Sequence, residues 1–265
     1  VTSALVGIAI GKGKIAGVDE RVLDFFPPEM EIDHLDDRKR RMTLEDLLTM
    51  RSGTDYHERG PGSPHFELNS MSRGWTAFIL DRPMIAEPGT SFLYDSGAVI
   101  LTSAILKART GMHADAYAET HLFAPLGIER ARWYSNAEGH PHTGGGLHLR
   151  SRDIAKLGLL YLRKGRWEEQ QILPASWVAD SLSRQVELED SVGSKPCFGD
   201  MTVSELIHER VTRRHRRAVG IECEFESGRT VDRDRCVRRR RRQQIFGIGI
   251  IHKINYELRG CVSIE

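Results

Sequence analysis

Cysteine is absent from the first 195 residues, and all four (Cys197, Cys223, Cys236, Cys261) lie beyond them. Their spacings of 26, 13 and 25 residues contain no Cys-x-x-Cys pair. That argues against zinc, requires no disulfide framework and leaves the redox compartment open. Long hydrophobic runs are missing too. The longest apolar stretches, such as Ala4–Ile10, fall far short of the ~20 residues a membrane span needs. A charge excess of one sign is also lacking: the net charge is +1, so the whole-chain balance favours neither nucleic acid nor membrane. Residue 1 is Val, with no basic stretch before the apolar run, so no signal peptide is read. What is present is ordinary: 265 residues, 40% apolar and 28% charged, enough to bury a core.

The averages hide a break. Residues 1–195 carry 23 Lys+Arg against 27 Asp+Glu, whereas residues 196–265 carry 15 against 10, and 14 of those 15 are Arg. Such asymmetry marks a separate domain or a tail. Residues 1–195 are therefore read as one domain and 196–265 as a second, Arg-rich segment.

The first domain reads as mainly helical. Residues 2–10 form a buried helix closed by Gly11-Lys12-Gly13. Leu23–Phe26 is a short turn ended by Pro27-Pro28, and Thr43-Leu44-Glu45-Asp46 opens a helix with a capping box. Residues 53–74, rich in Gly, Pro and Ser, read as a long loop over a cleft, followed by a short helix at Trp75–Leu80. Ala98, Leu101, Ile105 and Ala108 share one helical face, and further helices are expected over Ala114–Phe123, from Ser151 as N-cap, and after Pro174. Convincing strands are few.

Several ordered stretches carry a resemblance: Thr43-Leu-Glu-Asp-Leu-Leu-Thr-Met-Arg-Ser-Gly53, Pro88-Gly-Thr-Ser-Phe-Leu-Tyr-Asp-Ser-Gly97, Leu122-Phe-Ala-Pro-Leu-Gly-Ile128, Gly144-Gly-Gly-Leu147, Ser151-Arg-Asp-Ile-Ala-Lys-Leu-Gly158 and Gln171-Ile-Leu-Pro-Ala-Ser-Trp-Val178. In this order they resemble the serine beta-lactamase and penicillin-binding-protein superfamily, in its class C-related, CubicO-like branch, over about residues 1–185. The resemblance implies an α/β (α+β) fold of the beta-lactamase/transpeptidase type, with helices packed on an antiparallel sheet, incomplete here. It implies a serine hydrolase that cleaves a small-molecule amide or ester through an acyl-enzyme, with no metal or organic cofactor. Many family members are exported, but localisation stays open.

In that family a Ser-x-x-Lys motif supplies the nucleophile and its basic partner, and a Tyr from Tyr-x-Asn joins the Lys in proton transfer. Tyr94-Asp95-Ser96 occupies the place of the tyrosine motif, so Tyr94 and Ser96 are the candidate catalytic residues, Ser96 standing where the family has Asn. Tyr134-Ser135-Asn136 matches literally but follows Pro125-Leu126-Gly127, where the family has no catalytic motif, and is read as a decoy. None of the lysines (Lys12, Lys14, Lys39, Lys107, Lys156, Lys164, Lys195, Lys253) has serine three residues before it, so this chain contains no Ser-x-x-Lys. Val1 falls where the family's helix continues after that motif, and the simplest expectation is a start just downstream of it.

His142-Thr143-Gly144 has the letters of the family's third motif, His-x-Gly, but comes too early in the chain, so His142 is read as a loop residue. His140, His142 and His148 have no carboxylate or cysteine at ligand spacing and are not assigned a metal. For residues 196–265 three origins stay open, in order of preference: a shifted reading frame, a solvated or disordered face, and a nucleic-acid-binding tail. The non-enzymatic alternative for the whole chain is an inactive remnant or an interaction protein on the same scaffold. Exposed apolar stripes on the helices at 98–110 and 154–162 are expected to leave the chain poorly stable.

Overall fold

A computed structural model describes residues 1–186. The break near residue 195, the Arg-rich segment and the four cysteines lie outside the described residues. In chain order the helices are α1 Thr2–Gly11, a 3₁₀ turn Val22–Phe25, α2 Asp37–Arg41, α3 Leu44–Leu48, α4 Pro64–Ser70, α5 Trp75–Leu80, α6 Ser96–Thr110, α7 Ala114–Ala118 continued by a wide π-type turn Glu119–Phe123, α8 Ser151–Leu162 and α9 Ala175–Leu182. The strands are two antiparallel two-residue pairs, β1 Arg132–Trp133 with β2 Leu147–His148, and β3 Arg166–Trp167 with β4 Gln170–Gln171. Among the described residues there is no larger sheet, and no helix is long and apolar enough to cross a membrane.

Helix α6 is the spine. Asp95 caps its N-terminus by accepting the Ala98 N–H at 2.9 Å, and Gly111 ends it at φ 75°, donating its N–H to the Lys107 carbonyl. Lys107 and Arg109 in the last turn oppose the helix dipole. Ser96–Ala98, Ile100, Leu101 and Thr102–Leu106 are all buried, and α1, α3, α5 and α7 all pack against the helix. The apolar stripe expected to lie bare on this helix is covered by other helices except at Ala108, which is exposed. Each large aliphatic side chain so buried contributes roughly 1.5–3 kcal/mol. On α8 the expectation fares differently: only Asp153 and Leu160 are buried, and Leu162 is 55% exposed.

Helix α1 is hydrophobic on nearly all sides, with Thr2 and Ala4–Ala9 buried. Its Gly7 has no side chain because the Trp177 indole of α9 lies directly against it, and Pro174 sits over Gly11. Glycine thus lets α9 lie close against α1.

Three local readings needed correction. Within the expected loop at 53–74, Pro64 begins the helical turns of α4, which bury Leu68. The helix from Ala114 stays regular only to Ala118 before widening. Ser151 is the first helical residue of α8, with Arg150 as its N-cap. The capping box at Thr43 forms as read, with Thr43 Oγ1 accepting the Asp46 N–H and Asp46 accepting the Thr43 N–H.

Candidate active site

Tyr94 stands at the end of the extended segment that enters α6, and 53% of its surface is exposed. The next three residues are buried, and each is engaged by the segment 52–58. The Asp95 carboxylate accepts from Ser52 Oγ at 3.1 Å and Thr54 Oγ1 at 3.5 Å while capping the helix. The Ser96 N–H donates to Glu58 Oε1 at 2.8 Å. Gly97 lies against the ring edge of Tyr56, where a Cβ would come within 2.6 Å of Cε2. Tyr56 is itself wholly buried, so this stitching is part of the core.

The Gly-rich loop closes the other side. A Cβ on Gly144 would come within 2.8 Å of Ser96 Cβ, so only glycine lets the loop backbone rest on the start of α6. Thr143 donates from Oγ1 to the Val99 carbonyl at 2.7 Å and accepts, on its own carbonyl, the Thr2 hydroxyl at 3.0 Å. Trp133 of β1 holds the loop's shape by donating Nε1–H to the carbonyls of His142 and Gly145, both at 2.9 Å. The start of α1, the Tyr94–Ser96 turn and the loop at 142–146 therefore meet, although they are far apart in sequence.

The histidines separate. His142 is buried among the rings of Trp75 (5.7 Å), His65 (6.1 Å) and Tyr134 (6.4 Å), and its Nδ1 has no hydrogen-bond partner. His140 instead meets His113 edge to face at 4.8 Å, and His148 lies in β2. No group of three metal-ligating side chains occurs among the described residues. In the Tyr134-Ser135-Asn136 triplet, Asn136 Oδ1 accepts the N–H groups of Glu138 and His140 at 3.0 and 2.9 Å, so its amide holds a turn.

Burial, and then the charge of Glu58, raises the Tyr94 pKa above that of a free phenol, against a smaller opposing effect from Arg59. Such a phenol is protonated at neutral pH, so it can donate a proton, and accepting one requires a cation beside it. Asp95 is pushed up to about 6, chiefly by burial. Burial lowers the His142 pKa, favouring the neutral imidazole.

Sequence reasoning singled out Tyr94 and Ser96 but missed Asp95 and Glu58. Asp95 had a signal, because an Asp three residues before Ala98 at the head of an apolar run is an N-cap pattern. Glu58 had none, since its partner lies 38 residues away. Ser96 is buried beneath Gly144, which limits its reach, and the loop carrying His142, set aside on sequence position, abuts the Tyr94 turn.

The fold has known counterparts. The family described as Beta-lactamase matches residues 1–184. A penicillin-binding-protein homologue from Pyrococcus abyssi, an octamer, superposes with TM-score 0.54 at 19% identity, over 71% of this chain and 47% of that one. A D-stereospecific amidohydrolase from Streptomyces sp. does so with TM-score 0.54 at 17% identity, over 71% and 63%. The unguisins hydrolase UngD of Aspergillus violaceofuscus (strain CBS 115571) is 26% identical over 86 residues, 32% of this chain and 15% of that protein. The chain thus spans about half the length of the Pyrococcus structure and a much smaller part of the curated relative. With the family matched across most of its length, the chain belongs to the beta-lactamase family, within the beta-lactamase and penicillin-binding-protein fold.

Proposed function

We propose that these residues are the helical part of a class C-related, CubicO-like serine hydrolase whose intact form cleaves a small-molecule amide or ester through a serine acyl-enzyme. Residues 1–195 form the hydrolase domain in this reading, and 196–265 are a separate Arg-rich segment. Tyr94 is the proton-transfer group, and Ser96 takes the place of the family's amide side chain. The observation that carries the reading is the convergence of the α1 start, the Tyr94–Ser96 turn and the Thr143–Gly144 loop through the Thr2–Thr143 hydrogen bond and the Gly144–Ser96 contact.

The hydroxyl to be activated and the lysine cation that would draw the Tyr94 phenol toward its ionised form are not supplied by this chain, which holds no Ser-x-x-Lys. Residues 1–265 alone are therefore expected to resist a serine-directed fluorophosphonate probe and to leave nitrocefin and p-nitrophenyl esters intact. A chain joined before Val1 to a Ser-x-x-Lys segment of this family is expected to label and turn over. Labelling of residues 1–265 at a serine would overturn this assignment. An inert extended chain would favour the second reading, a non-catalytic protein on the same scaffold, which the missing motif also supports.

A further inference from the structure

The segment between Thr54 and Ser63 is the least expected part of the site. Tyr56 anchors it by packing its ring edge against Gly97, and Ser63 Oγ closes it by donating to the His57 carbonyl at 2.9 Å. Two residues beyond Tyr56, this places the Glu58 side chain, 19% exposed, at the first turn of α6. One oxygen of that carboxylate, Oε1, serves two directions. It accepts the Ser96 N–H at 2.8 Å and lies 4.0 Å from His65 Nδ1. His65 in turn meets the His142 ring edge to face at 6.1 Å.

A carboxylate on a backbone N–H at a helix start is a stabilising pair, because the free N–H groups and the helix dipole both favour negative charge there. Asp95 already uses the Ala98 N–H and is held by Ser52 and Thr54, so Glu58 is a second acid on the same helix end. Its charge also pushes upward on the pKa values of Tyr56, Tyr94 and Asp95, in each case after burial, and opposes in small part the lowering that burial imposes on His142. The opposing charges are Arg59 toward Tyr94 and Arg82 toward Tyr56.

We infer that Glu58 is a positioning residue of this site, pinning the turn that presents Tyr94 through the Ser96 N–H and supplying negative charge at the helix start that follows Tyr94. The inference rests on the reading of Tyr94 as the proton-transfer group. It adds a function for that charge: a cation brought to the site must offset Glu58 before the Tyr94 phenol can ionise.

Two variants of the full chain separate hydrogen bond from charge. Glu58→Gln keeps an acceptor for the Ser96 N–H but removes the charge, and Glu58→Ala removes both. With ¹³Cζ-labelled tyrosine, the Tyr94 resonance, assigned by its loss in Tyr94→Phe, is expected to titrate at lower pH in Glu58→Gln, with a cooperative unfolding transition retained at a slightly lower midpoint. In Glu58→Ala the Ser96 amide is expected to exchange about tenfold faster, the worth of one hydrogen bond of this kind. An unchanged Tyr94 titration in Glu58→Gln, or unchanged Ser96 exchange in Glu58→Ala, overturns the inference. If Glu58→Ala fails to fold, the Gln variant still decides. Neither readout needs turnover, so an activity-neutral Tyr94→Phe in the extended chain would sink the catalytic reading while leaving the Glu58 result standing.

Discussion

The Cδ2–Cε2 edge of the Tyr56 ring lies against Gly97, so close that a Cβ there would sit 2.7 Å from Cδ2 and 2.6 Å from Cε2. This contact joins the segment 52–58 to the start of α6 and so fixes everything that surrounds Tyr94. Gly97→Ala is expected to destabilise the chain by about 1–3 kcal/mol, the usual cost of overpacking a filled core, because the fully buried Tyr56 has no room to retreat. Thermal or urea unfolding measures the loss. Tyr56→Leu in the same background should recover part of it, since the obstructing ring is then gone.

Asp95 gives a pH dependence of definite sign. Its carboxyl rises from 3.8 to about 6 on folding, so the folded state binds the proton more tightly than the unfolded one. Stability from this group is therefore full below about pH 4 and falls as pH rises through 4 to 6, costing on the order of 3 kcal/mol at neutrality. Asp95→Asn keeps an N-cap acceptor for Ala98 and removes the charge. The variant is expected to be at least as stable at pH 7 and to lose the decline between pH 4 and 6. Melting temperatures across pH 4–8 test this, and a variant that melts far below the parent at pH 7 would show the charge to be needed.

Tyr94 and Tyr134 are similarly exposed, at 53% and 50%, yet their surroundings differ. Tyr94 leads directly into the buried Asp95–Gly97 turn, while Tyr134 sits on a hairpin whose Asn136 is committed to a turn. In any chain that joins these residues to a Ser-x-x-Lys segment and turns over ester, Tyr94→Phe is expected to cut turnover by roughly 10²–10⁴-fold, the usual worth of a positioned proton-transfer group. Tyr134→Phe should leave kcat nearly unchanged. Equal losses at both positions would remove the reason for preferring the first motif.

Much of the helical architecture was legible because it is written locally. The capping box at Thr43, the glycine stop after Ile10 and the apolar spacing of α6 each depend on residues within a turn or two. The site was only half legible. Tyr94 could be placed by its motif, but the partners of Asp95, Ser96 and Gly97 come from residues 52–58 across a helix and a loop, and no period in the sequence records such pairings. Burial misled for the same reason: α6 reads as needing a sheet, yet its stripe is covered by α1, α3, α5 and α7.

The junction of α1 and α9 offers a further test of how the helices close on one another. Gly7 is wholly covered by the Trp177 indole, and a methyl group there would occupy the position of the ring itself. Gly7→Ala gains helix propensity of about 1 kcal/mol in an isolated helix. Here the displaced indole outweighs it, because the Trp177 ring of α9 packs directly against Gly7 and has to leave that place. The variant is expected to release α9 without unfolding α6, seen as a red-shifted tryptophan emission and new proteolytic cleavage after about residue 173. Trp177→Ala in the Gly7→Ala background should not lower the melting temperature further than Trp177→Ala alone. Cleavage in Gly7→Ala that matches the parent would mean the indole has another place to go, and α9 is held by Pro174 over Gly11 instead.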